Sequence, residues 1–154
     1  MNEPVFCQRI NAEPASAHDW TLSLTADERR HVRFRREVSA GVWVTVALPR
    51  GTQLRAGDVL STEGGSQRLG ILTAHERVLH VTATCRQDLL KAAYHLGNRH
   101  VALEVGPDYL RLLPDAVLTG MFDHLGVQWL ETLGPFAPEL GAYAGGTHGH
   151  AHPH

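Results

Sequence analysis

Thr84-Cys85-Arg86-Gln87-Asp88-Leu89-Leu90-Lys91-Ala92-Ala93-Tyr94-His95-Leu96-Gly97 is the stretch on which the fold turns. Thr84 and Gln87 have the spacing of a capping box, a hydroxyl at the N-cap and an amide at N3. Leu89, Leu90, Ala93 and Leu96 follow at helical intervals, and Gly97 is expected to take the left-handed position that ends the helix. Before it, Val78, Leu79 and Val81 read as a strand. After it come two short strands, Val101 to Val105 and Tyr109 to Leu113, joined by Gly106-Pro107-Asp108. Pro114-Asp115 opens a second helix carrying Val117, Leu118, Met121, Phe122 and Leu125, Gly126 closes it, and Val127 to Leu133 is the last strand. The order β-α-β-β-α-β is the split arrangement of ferredoxin-like domains.

Upstream the pattern changes. Val42, Val44, Val46 and Leu48 alternate with Trp43, Thr45 and Ala47, which is the period of a half-buried strand. Leu48-Pro49-Arg50-Gly51 ends it in a turn, Gly57-Asp58 makes another before Val59-Leu60, and Glu63-Gly64-Gly65 reads as a turn ahead of Leu69 to Leu72. Val32 to Val38 is arginine-rich and broken in pattern. No segment before residue 75 shows a helical face. The chain is therefore α+β, with a small all-β domain over residues 1–73, the ferredoxin-like domain over 74–143, and a flexible tail over 144–154.

At 154 residues each half has a marginal private core, so the amphipathic helices are expected to bury a further face against another copy in a homodimer. The net charge of -2, from 14 basic and 16 acidic residues, does not indicate a nucleic-acid surface, although Arg29, Arg30, Arg33, Arg35 and Arg36 cluster locally. Lys91 is the sole lysine, and an arginine excess favours directed ion pairs over a diffuse cationic coat. Cys7 and Cys85 lie too far apart in sequence to suggest a disulfide framework or a cysteine-rich zinc site, and Cys85 is expected to be buried. No secretory signal opens the chain and no run of about 20 apolar residues crosses a membrane, so a soluble cytoplasmic protein is expected. His-Glu-x-x-His, phosphate-loop and Gly-x-Ser-x-Gly patterns are absent, which argues against an enzyme.

Histidine carries the chemistry. His148, His150, His152 and His154 alternate with Gly149, Ala151 and Pro153 at the end of the chain, where no apolar periodicity could build a core. Neutral imidazoles on such a segment form a ligand set for nickel, copper, zinc or cobalt. Because each must be neutral to bind, retention is expected to weaken as pH falls through about 6.5. Within the folded region His95 and His100 flank Gly97. Their five-residue separation does not keep both on one helical face, so they need not share a metal; His100, just past the helix break, is placed for an exposed or interface position and, with the tail histidines, is the expected metal ligand, whereas His95 in the last turn reads as a helix cap or a secondary ligand. His18, His31, His75, His80 and His124 are scattered, and His124, beside Asp123, reads as a solvated helix face.

The segment Ala92-Ala93-Tyr94-His95-Leu96-Gly97-Asn98-Arg99-His100-Val101 resembles the urease accessory protein E family, the nickel metallochaperones of the urease system. Leu48-Pro49-Arg50-Gly51, Gly57-Asp58-Val59-Leu60, Asp115-Ala116-Val117-Leu118 and Phe136-Ala137-Pro138-Glu139-Leu140-Gly141-Ala142-Tyr143 extend the likeness over most of the chain. The resemblance implies a β domain that binds peptides or partners, joined to a dimerising metal-binding domain. It implies that His100 and its copy hold one Ni²⁺ between protomers, with the histidine-rich end adding capacity. The implied partners are the accessory GTPase that receives nickel, its associated accessory proteins and urease apoprotein. Some members carry a further histidine pair where this chain has Pro114 and Ala116, so that peripheral site is not expected here. Cu²⁺ and Zn²⁺ compete for imidazoles, so the residues alone indicate a borderline metal. They leave open a zinc, copper or nickel store, and a dimeric interaction module with incidental histidines.

Overall fold

The computed structural model describes residues 3–12 and 17–141. The tail histidines at 148, 150, 152 and 154 therefore lie outside the described residues. Among the described residues ten strands form two sheets that share no strand, and two α-helices lie in the second half.

The first sheet takes β1 (Val5–Ile10), β2 (Trp20–Leu24), β3 (Arg33–Ser39), β4 (Val42–Ala47), β5 (Val59–Thr62) and β6 (Arg68–Thr73), in the spatial order β2-β6-β5-β1-β4-β3. The β1–β4 and β2–β6 pairings are parallel, and the others are antiparallel. Val44, Val46 and Leu48 point into a core with Phe6, Leu22, Leu24, Leu54, Leu60, Leu69 and Ile71, while Trp43 faces outward, as the alternation requires. The arginine-rich stretch with the broken pattern is β3, an outer strand in which Phe34 and Val38 pack on that core. Glu63–Gly65 forms a single 3-10 turn with Gly64 and Gly65 at positive φ.

The second sheet is built from β7 (His75–Thr82), β8 (Glu104–Val105), β9 (Leu110–Leu112) and β10 (Gln128–Pro135), with α1 (Arg86–Asn98) and α2 (Ala116–Leu125) between them. Its spatial order is β10-β7-β9-β8, every neighbour antiparallel. The chain order is the β-α-β-β-α-β read from sequence. Leu79 pairs with Leu112 and Val81 with Leu110. That face meets Leu89, Ala92 and Leu96 of α1 and Leu118 and Phe122 of α2. Among the described residues no helix is long and apolar enough to cross a membrane.

Three local expectations are corrected. The N-cap of α1 is Cys85, not Thr84. Cys85 has no side-chain cap bond, and its carbonyl accepts from the amides of Asp88 (3.1 Å) and Leu89 (3.4 Å). Cys85 is accordingly exposed rather than buried, because it sits at the open end of the helix while Leu89, a turn later, fills the core position. The strand expected over Val101 to Val105 is only Glu104–Val105. Val101 is used in closing α1, and the Leu103 carbonyl accepts from the Glu139 amide at 2.7 Å instead of joining the ladder.

Candidate metal centre

Gly97 was expected to be the left-handed residue, but it lies inside α1, which runs on to Asn98. The left-handed residue is His100, with φ of 57°, the one non-glycine at positive φ among the described residues. Its amide donates to the Gly97 carbonyl at 3.0 Å, and the Val101 amide donates to the Leu96 carbonyl at 3.2 Å. This is the bond pair of a Schellman ending, with His100 at C′. The motif is stabilised by apolar contact between C3 and C″. Here those positions are Leu96, fully buried, and Val101, which packs on the same core. A left-handed Gly97 would make them Ala93 and polar Asn98, and nothing would close the end. Core packing therefore places the strained backbone on the histidine.

His100 is exposed and lines a shallow depression of about 270 Å³ with Arg99, Val101, Ala102, Leu113, Pro114, Asp115 and Leu118. The far wall is the start of α2. Asp115 caps that helix, its Oδ1 accepting from the amides of Val117 (2.8 Å) and Leu118 (3.2 Å). Gly126, at φ of 69°, closes it, both as read from sequence. Around the depression Leu113 and Val117 stand exposed. His95 is exposed on α1 with its ring edge-on to Tyr94. His31, His75 and His124 are exposed and His18 is half-buried. Among the described residues no group of three or more His, Cys, Asp or Glu side chains converges to hold a metal. His100 offers one exposed imidazole.

The segment leading toward those residues is tied down by side chains whose roles could not be read from sequence. Arg29, from the arginine cluster, is buried, and its guanidinium donates to the carbonyls of Leu24 (2.6 Å) and Phe136 (2.5 Å). Burial pushes it below its ordinary pKa, opposed by attraction to Glu76 and Glu104. On the face of the second sheet away from the helices, Glu104 accepts from the Tyr109 hydroxyl (2.9 Å), Arg111 (3.4 Å) and the Ala137 amide (2.8 Å). The bond to Glu104 holds the Tyr109 phenol above its usual pKa, with burial adding to it. Arg111 also donates to His80 Nδ1 (3.2 Å) and the Pro135 carbonyl (3.3 Å), and His80 stacks on Tyr109 at 5.0 Å. His80 is thus a structural histidine. The docked segment 137–141 and the loops at 26–30 and 53–56 border a cleft of about 730 Å³, which shares Ala102 and Leu113 with the His100 depression.

The other clustered arginines do not form a bare basic patch. Arg36 pairs with Glu28, Arg30 lies 3.8 Å from Asp27, and Arg35 pairs with Glu3 at 2.8 Å while covering the Trp43 ring. The Arg35 hydrogen bond, then that of Thr45, holds Glu3 below the usual carboxylate range. The family models for the N-terminal and C-terminal domains of the UreE urease accessory protein match residues 6–67 and 76–154. The chain belongs to the UreE family. Among UreE relatives, the urease accessory protein UreE of Nostoc sp. is 46% identical over 147 residues, covering 96% of this chain and 97% of its own. That of Parasynechococcus marenigrum is 48% identical over 145 residues, covering 94% and 96%. The UreE protein of Burkholderia lata is 49% identical over 132 residues, which cover 86% of this chain but 63% of that longer protein.

Proposed function

We propose that the chain is a nickel carrier for urease maturation, binding Ni²⁺ as cargo and performing no bond-making chemistry of its own. The observation that carries this reading is His100, an exposed imidazole held at the rigid end of α1 in a chain that matches UreE over both halves. Two copies related by a two-fold axis would present two such imidazoles, leaving coordination positions for water or for His148, His150, His152 and His154. The His100 depression and the cleft beside 137–141 share two lining residues, and seven Cα-to-Cα steps lead from Gly141 to His148, a covalent reach of roughly 25 Å. A tethered ligand raises its own local concentration, which supports capture by the tail and holding at the axis. His95 is a weaker secondary ligand.

In this reading residues 1–73 bind partners, 74–143 dimerise and hold the metal, and 144–154 extend capacity. Delivery passes the ion by ligand exchange to the accessory GTPase and its associated proteins, and so to urease apoprotein. Nickel titration calorimetry with mass measurement tests this on the full chain, on His100→Ala and on a chain ending after Tyr143. One tight Ni²⁺ per dimer, kept in the shortened chain and lost in His100→Ala, is the expected result. Loss of all tight binding on removing the tail, with the dimer intact, would instead make the protein a store in which zinc or copper serves as well as nickel.

A further inference from the structure

The cleft of about 730 Å³ is walled on one side by the last residues described. Leu140 and Gly141 both line it, so the chain leaves its described part at the cleft wall. Leu54, Ala102, Leu113 and Phe136 give the cleft an apolar lining. Its charges are near balance: Arg30 and Arg55 stand against Asp27 and Glu139, and the Arg29 guanidinium is taken up by two carbonyls. A lining of that kind selects no ion. It fits a short uncharged segment carrying one large apolar side chain. The chain continues from the wall as Ala142-Tyr143-Ala144-Gly145-Gly146-Thr147, with no charged residue and with Tyr143 as its one large side chain. Tyrosine has an apolar body, a polar tip and a ring face that attracts a guanidinium. Two Cα-to-Cα steps, roughly 7 Å, lead to it from Gly141.

We propose that the cleft is the seat of this chain's own segment 142–147, with the Tyr143 ring against Leu54, Ala102 and Leu113 and in reach of Arg30 and Arg55. The segment is the occupant because it is covalently held at the cleft wall and matches the lining in charge. A short tether gives it an effective concentration in the millimolar range, which a free partner does not reach. Ala102 and Leu113 also line the His100 depression. A seated Tyr143 therefore starts the histidine-rich end beside that depression, with five Cα-to-Cα steps, roughly 17 Å, left to His148. The seat does not depend on the nickel reading, and its test is made without metal.

The test reads the methyl resonances of the isotope-labelled full chain, metal-free, beside Tyr143→Phe and Tyr143→Ala. An aromatic ring displaces the resonances of methyl groups packed on its face. The methyls of Leu54, Ala102 and Leu113 should stand displaced in the full chain and in Tyr143→Phe, and should lose that displacement in Tyr143→Ala. Leu89 and Leu118, in the core of the second half, should keep their positions in all three, which reports that each variant is folded. Cleft methyls that do not move in Tyr143→Ala, or that move equally in Tyr143→Phe, would overturn the proposal. A mixture of labelled Tyr143→Ala with unlabelled full chain then identifies the source of the ring. No return of the displacement is expected, and its return would overturn the proposal by giving the seat to the tyrosine of a second copy.

Discussion

At the scale of the residue, His100 shows how a ligand can be oriented by backbone geometry. A non-glycine side chain in the left-handed region carries strain on the order of 1 kcal/mol, and such strain persists only where the surroundings over-determine it. Here the over-determination is the Leu96–Val101 closure of α1. Comparing His100→Gly with His100→Ala isolates it, since both lose the imidazole and only glycine tolerates the conformation freely. The glycine variant should be the more stable by about 1 kcal/mol in urea unfolding, with tight nickel lost from both. Equal stabilities would show that the backbone at 100 is unstrained. The arginine cluster gives a second lesson at this scale. Five arginines within eight positions suggest a common field, yet one is a buried clamp and three sit beside separate carboxylates.

At the scale of the element, α2 is the wall that the His100 depression rests against. Its start depends on one carboxylate, Asp115, which satisfies two amides that would otherwise lack partners. Asp115→Ala should cost about 1 kcal/mol, seen as a lower urea midpoint. Amide exchange at Val117 and Leu118 should accelerate while amides in α1 keep their protection. Uniform acceleration across both helices would mean that the cap does not act locally. The outer strands are guarded as elements as well. β3 carries charged Arg33, Arg35, Arg36 and Glu37 along its exposed positions, which discourages pairing with other chains. β10 is also an outer strand and exposes Trp129, Leu130 and Leu133, with Glu131 paired to Arg77 of β7 between them.

At the scale of the whole molecule, the two sheets are joined through the segment that follows β10. Phe136 is fully buried, and Arg29, Glu104, Arg111 and the Leu103 carbonyl hold the backbone from Pro135 to Glu139. Arg29 links the two halves directly, because one of its carbonyl partners belongs to β2 and the other to this segment. Arg29→Met keeps most of the volume and removes both bonds, which strands the Phe136 carbonyl, while the Leu24 carbonyl keeps the Ala74 amide at 2.9 Å. A loss of about 1–3 kcal/mol is expected, the cost of one buried acceptor left without a donor. Limited proteolysis should then cut between 136 and 141 faster than in the parent. An unchanged urea midpoint would mean that water replaces the guanidinium without penalty.

The amino-acid sequence determined what depends on neighbours along the chain. The alternation at Val42 to Leu48 is the period of β4, the spacing of Leu89, Ala93 and Leu96 is that of α1, and Asp115 and Gly126 bound α2 by their own side-chain and backbone preferences. The order of elements in the second half was legible for the same reason, as was the likeness at Gly97-Asn98-Arg99-His100. What lay beyond reach depends on surfaces brought together from distant positions. Which residue ends α1 in the left-handed region was decided by what Leu96 and Val101 bury against, and a local glycine pointed to the wrong one. Cys85 is exposed because of where α1 begins on the sheet. Arg29 is a clamp because a carbonyl 107 positions away lies within its reach. Periodicity reports the face a segment presents, and only tertiary packing decides what that face meets.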